Sequence, residues 1–195
     1  MHPKKYRGIL PPAMVTLAMA LTLTWCCNGH ASEFATWREY GGGPTQQQYS
    51  SLDQVNRDNV HLLEVAWVYD SGDMDTEARD YHATRRLQHT PIILGDRLYG
   101  VSRALRVFAL DAATGELVWE REPPLAPGET SLGGVFIRGL MHWRGERILY
   151  TGGHYLYALD AATGAPVETF GDGGRVDLRE GLGRPVDSVG ISATS

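Results

Sequence analysis

ALDAATG stands twice in this chain, at Ala109–Gly115 and at Ala158–Gly164, 49 residues apart. The flanks repeat with it: Gly95-Asp96-Arg97-Leu98-Tyr99 precedes the first copy and Gly145-Glu146-Arg147-Ile148-Leu149-Tyr150 the second. Each unit reads Gly-acid-Arg, a short apolar run, a small loop, a second apolar run, then Asp-Ala-Ala-Thr-Gly. In that closing turn the aspartate can bond backbone groups ahead of it, and glycine accepts a positive φ. A period of ~40–50 residues built from short strands is characteristic of β-propeller blades. The expected fold is all-β.

The first unit is expected to supply four antiparallel strands: Thr90–Leu94, Arg97–Ser102, Arg106–Leu110 and Leu117–Glu120, the last carrying Trp119. The second offers Arg138–Trp143, Arg147–Thr151, Tyr155–Asp160 and a weaker Val167–Phe170, with Glu168 where the tryptophan would recur. Leu62–Tyr69, apolar, β-branched and aromatic and closed by Ser71-Gly72, reads as a further strand. Residues 73–86 read as charged loop and Gly171–Gly190 as a glycine-rich excursion, while Ile191–Ser195 resembles the opening strand of a third blade. Two blades and a fraction would leave strand edges and apolar faces bare. The sequence is therefore expected to be the front part of a longer propeller domain, residues 32–195.

Residues 1–31 have the pattern of a signal peptide: Lys4, Lys5 and Arg7, an uncharged apolar run from Ala13 to Trp25, then Gly29-His30-Ala31 before a cut at Ser32. The run is shorter than the ~20 residues that span a bilayer. The expected location is periplasmic or secreted. Both cysteines, Cys26 and Cys27, and both lysines fall in this segment, so a mature chain would carry no disulfide, and 15 arginines against 23 acidic residues. A net charge of −8 argues against a nucleic-acid partner, which requires clustered positive charge.

Trp37-Arg38-Glu39-Tyr40-Gly41-Gly42, then Tyr49-Ser50-Ser51-Leu52-Asp53-Gln54-Val55-Asn56-Arg57-Asp58-Asn59-Val60, then Ala66-Trp67-Val68-Tyr69 resemble, in order, the beginning of the pyrroloquinoline-quinone-dependent dehydrogenases. Thr90-Pro91-Ile92, Arg138-Gly139-Leu140 and the paired ALDAATG turns continue the resemblance. Phe170–Glu180 is most similar to the glucose-dehydrogenase side of that family. The resemblance implies an eight-bladed propeller, of which about two blades, an N-terminal segment and the start of a third lie here. It also implies two cofactors, pyrroloquinoline quinone and calcium, on the central axis, with the calcium ligands and the catalytic base beyond Ser195.

The quinone carries three carboxylates, which call for guanidinium partners and hydrogen-bond donors. The resemblance assigns Arg138 to the cofactor. Gln88 falls where many members carry a glutamate that touches it, and reads either as that contact or as a capping amide. Thr194 falls near a position where the resemblance implies a further hydrogen bond to the quinone, and reads either as that contact or as an ordinary residue of the incipient third blade. Phe136-Ile137 stand where the methanol and ethanol branch has adjacent cysteines, which tilts the expected substrate towards sugars or other polyols. The implied partners are a small sugar or alcohol and a respiratory electron acceptor, a quinone or cytochrome c. The alternative is an exported scaffold propeller of the kind that assists outer-membrane protein assembly. His82, His89, His142 and His154 lack metal-site spacing and read as structural or surface groups. Asp70, Asp73, Asp75 and Glu77 lack the glycine and terminal glutamate of a calcium loop and read as a solvated loop. Gly152-Gly153 and Gly171–Gly174 read as turns, not phosphate cradles.

Overall fold

A computed structural model describes residues 35–73, 87–122, 124 and 137–185. Their strands are β1 (Leu87–Thr90), β2 (Ile92–Leu94), β3 (Arg97–Val101), β4 (Val107–Asp111), β5 (Leu117–Arg121), β6 (Ile137–Gly139), β7 (Met141–Trp143), β8 (Arg147–Gly152), β9 (Tyr155–Asp160) and β10 (Arg175–Asp177). Two antiparallel four-stranded sheets, ordered β2-β3-β4-β5 and β7-β8-β9-β10, are the two blades. β1 and β6 form a separate parallel pair that joins them. Parallel strands need a crossover, and here the whole first blade serves as one.

The sequence repeat becomes a structural repeat at matching points. Arg97 faces Asp111 at the end of the β3–β4 ladder, and Arg147 faces Asp160 at the end of β8–β9. In the first turn Asp111 Oδ1 accepts from the amides of Ala113 and Thr114 at 3.0 and 2.9 Å. In the second, Asp160 Oδ1 accepts from the amide and the hydroxyl of Thr163, both at 2.8 Å. β8 buries every second residue, the signature of a strand with one covered face.

The blades interlock through tryptophans. Trp119, on β5 of the first blade, lies over Gly164 in the turn of the second and donates its Nε1 hydrogen to Ala161 O at 3.0 Å. Any Cβ at Gly164, whose φ is +69°, would stand 2.5 Å from that ring. Trp67 meets the first blade in the same way, over Gly115, with Nε1 donating to Ala112 O at 3.3 Å. One buried cluster spans both blades: Ile92, Val101 and Val107 from the first with Leu140, Ile148 and Tyr157 from the second. Each such side chain contributes roughly 1.5–3 kcal/mol.

Four expectations need correction. Leu62–Tyr69 is not a strand: a 3₁₀ turn covers Val60–Leu62, and the chain then runs on without a ladder partner among the described residues. Its fixings are side chains, Trp67 at the first turn and Tyr69 against Phe108, while Val65 and Val68 face outward. Apolar content alone makes no strand where no neighbouring strand offers a ladder. Val167–Phe170 is a turn, and the fourth strand of the second blade is β10, inside the stretch read as an excursion. Pro166 touches β9 at Leu159 but has no N–H with which to extend the ladder. Gly171, Gly173 and Gly174, all at positive φ, swing the chain back so that Arg175–Asp177 pairs with Tyr155–Tyr157.

Thr90–Leu94 and Arg138–Trp143 are likewise not single strands. Each breaks in the middle, at Pro91 and at the buried Leu140, and the halves belong to different sheets. Residues 1–31, most of the 73–86 stretch and Ile191–Ser195 lie outside the described residues.

Candidate functional site

β2 and β7 are the edge strands at which the two blades converge, and β1 and β6 lead into them. The register of this parallel pair is uneven. Leu87 faces Ile137 and Thr90 faces Gly139, so three steps along β1 match two along β6. The interval is a β-bulge, in which Gln88 and His89 together lie opposite Arg138. Bulges concentrate beside functional sites because the extra residue re-aims its neighbours. Two of the three cofactor residues expected from sequence, Gln88 and Arg138, are thus brought to adjacent strands at one level, 50 residues apart in the chain. Thr194 lies outside the described residues.

His89, read from sequence as a structural or surface group, belongs to this bulge. Its Nε2 accepts the amide hydrogen of Val101 at 3.3 Å. That bond fixes the tautomer, leaving the proton on Nδ1, which is buried and without a partner among the described residues. Burial lowers the imidazole's pKa below its ordinary value, which favours the neutral, accepting form. The available signal was positional: His89 stands between Gln88 and the Thr90-Pro91 break.

The N-terminal segment crosses both blades. Ile93 of β2 donates its amide hydrogen to Trp37 O at 2.7 Å. Glu39, Tyr40 and Gln46 line a cavity of about 310 Å³ against Leu140, Met141 and His142 of the second blade. Trp37 packs on Gly42, whose φ is +86°. This strap meets β2 at Ile93, five residues after Gln88, and its cavity begins at Leu140, directly after β6.

Asp73, expected in a solvated loop, is 2% exposed. It pairs with Arg106 and accepts the Ala104 amide hydrogen at 2.9 Å. Arg106 also reaches Ser71 O and, at 3.4 Å, Glu120, to which the Tyr69 hydroxyl donates at 3.2 Å. Burial works to raise the Asp73 carboxyl, but the hydrogen bonds from Arg106 and Ala104 prevail and hold it below the ordinary carboxylate value. Burial, then the Glu120 charge, pushes the Tyr69 hydroxyl up to about 12. The network fastens residues 69–73 to the first blade.

The other histidines are structural where described. His142 Nδ1 accepts the Gly145 amide hydrogen at 3.1 Å, and burial followed by the charge of Arg38 lowers its pKa. His154 lies near enough to Asp177 to act on its charge, and its backbone oxygen accepts the Leu178 amide hydrogen at 2.9 Å; His82 lies outside the described residues. Among the described residues no three His, Cys, Asp or Glu side chains converge as metal ligands, so these residues do not fit a calcium site. By residue type they suit an anionic planar group: the pairing of β1 with β6 sets Arg138 level with Gln88 and His89 in the chain trace, and the sequence has no acidic residue from Leu87 to Thr90 or from Ile137 to Leu140. That donor set suits carboxylates and carbonyl oxygens.

Residues 37–195 match the family model for the β-propeller domain of glucose, ethanol and alcohol dehydrogenases. The chain is 37% identical over 139 residues to the dehydrogenase subunit of the quinone alcohol dehydrogenase of Gluconobacter oxydans, covering 70% of this chain and 16% of that protein. It is 33% identical over 161 residues to the quinoprotein glucose dehydrogenase of Escherichia coli, covering 75% and 20%. Its structure superposes on the quinohemoprotein alcohol dehydrogenase of Comamonas testosteroni with a TM-score of 0.59 at 27% identity, over 78% of this chain and 21% of that one. The chain thus spans about a fifth of the length of these relatives. The repeat, the interlocked blades and the match over nearly all of the described residues lead to one assignment: this chain belongs to the pyrroloquinoline-quinone dehydrogenase family, as part of its β-propeller domain.

Proposed function

We propose that this chain contributes the opening blades of an exported quinone-dependent dehydrogenase that oxidises a sugar or alcohol hydroxyl and passes the electrons to a respiratory acceptor. The observation that carries the reading is the bulged β1–β6 pair, which sets Gln88 and His89 opposite Arg138 where the blades converge. When bound, pyrroloquinoline quinone supplies the two-electron redox chemistry. The role of this chain is to bind and orient it. Arg138 offers a fixed charge and a planar fork for a carboxylate, and the Gln88 amide can donate and accept without adding charge. Thr194 would add a hydroxyl donor. Calcium and the proton-accepting carboxylate are supplied from outside the described residues.

The test is reconstitution of the full-length protein with pyrroloquinoline quinone and Ca²⁺, followed by dye reduction with glucose and with simple alcohols. Cofactor-dependent turnover is expected, together with about a hundredfold weaker quinone binding in Arg138→Ala, equivalent to ~2.7 kcal/mol for a lost charge-assisted contact. Absence of quinone binding by the unmodified protein would overturn the reading.

A further inference from the structure

We infer that His89 is a positioning residue for the cofactor, its imidazole maintaining the bulge that sets Gln88 opposite Arg138. The inference rests on the functional reading above and deepens it. β2 pairs with β3 only between Leu94↔Arg97 and Ile92↔Tyr99, because at Pro91 the chain leaves the blade to pair with β6. β3 runs on through Gly100 and Val101 with no ladder partner on that edge among the described residues. Val101 is 2% exposed, and its amide would be an orphaned buried donor.

The Nε2 atom of His89 takes that hydrogen at 3.3 Å. A side chain thereby does what a strand carbonyl would do, and ties β1 to β3 although the two strands share no ladder. That tie lets β1 pair with β6 while still anchored to its own blade. Gln88, the other residue of the bulge, owes its register to that anchor. A backbone carbonyl in place of the imidazole would draw β1 back towards β3 and remove the bulge.

The experiment compares the full-length protein with His89→Phe, which keeps a ring but no acceptor, and His89→Gln, whose amide oxygen restores one. His89→Ala replaces the phenylalanine variant if that one fails to fold. Two readouts are taken: hydrogen exchange at the Val101 amide, and titration with pyrroloquinoline quinone followed through the absorption of the bound quinone. The acceptor-less variant is expected to exchange faster at Val101, to bind the quinone about tenfold more weakly and to shift its absorption. His89→Gln should recover both protection and affinity. Unchanged quinone affinity in the acceptor-less variant overturns the inference while leaving the functional reading intact. So does a glutamine variant that regains Val101 protection without regaining affinity. Failure of the unmodified protein to bind quinone overturns both.

Discussion

At the scale of single residues, the interlocking tryptophan and the buried ion pair are the most consequential side chains outside the candidate site. Trp119→Phe keeps most of the ring over Gly164 but loses the bond to Ala161 O, and should cost about 1 kcal/mol in urea unfolding. Trp119→Ala empties the contact and should cost about 3–5 kcal/mol. Gly164→Ala should also destabilise, since its Cβ meets the same ring at 2.5 Å and its φ is positive. Asp73→Asn leaves the Arg106 guanidinium without its main partner, at a cost of about 3 kcal/mol at neutral pH. The pH dependence follows from the sign of the shift. The folded carboxyl of Asp73 titrates below its ordinary value of 3.8, so its stabilisation is complete above that value and is lost as pH falls through the folded value. Unfolding midpoints compared at pH 7 and pH 3 should therefore fall less in Asp73→Asn than in the unmodified protein.

At the scale of elements, β10 is the strand most dependent on its approach. A Cβ at Gly171 would stand 2.0 Å from Arg175 O, so Gly171→Ala should release β10 alone. Hydrogen exchange is expected to speed up at Arg175–Asp177 while β7, β8 and β9 stay protected. This strand also marks the boundary of what the sequence disclosed. The ladders leading into each ALDAATG turn, and the one leaving the first, are legible because short apolar runs, an Asx-forming aspartate and a positive-φ glycine all act locally. β10 is not, because Pro166 removes the ladder donor and three glycines postpone the strand, an outcome decided by the path of the turn. The loss of a strand at Leu62–Tyr69 has the same character, since composition is silent about whether a partner strand exists. At the candidate site, the segments that carry Arg138 and Gln88 can be located from their motifs. The bulge that brings His89 in cannot, because pairing between segments 50 residues apart leaves no local mark. Asp73 was misjudged for a similar reason: its partner, Arg106, lies 33 residues away.

At the scale of the whole molecule, cofactor binding and stability are linked. A ligand that binds only the folded state at 100 times its Kd adds ~2.7 kcal/mol, so quinone should raise the thermal midpoint of the full-length protein. Arg138→Ala, about a hundredfold weaker, would sit at its own Kd at the same quinone concentration and should keep only ~0.4 kcal/mol of that stabilisation; a calorimetric scan with and without quinone checks it. The tryptophans carry a different consequence, one concerning time. Trp67 can seat only after Gly115 has been synthesised, and Trp119 only after Gly164. Each portion of chain is latched by one that leaves the ribosome about 45 residues later. Consolidation must trail synthesis by one unit throughout, so a nascent chain arrested just short of Gly164 should still expose Trp119 to quenchers and proteases that cannot reach it once the second blade has emerged.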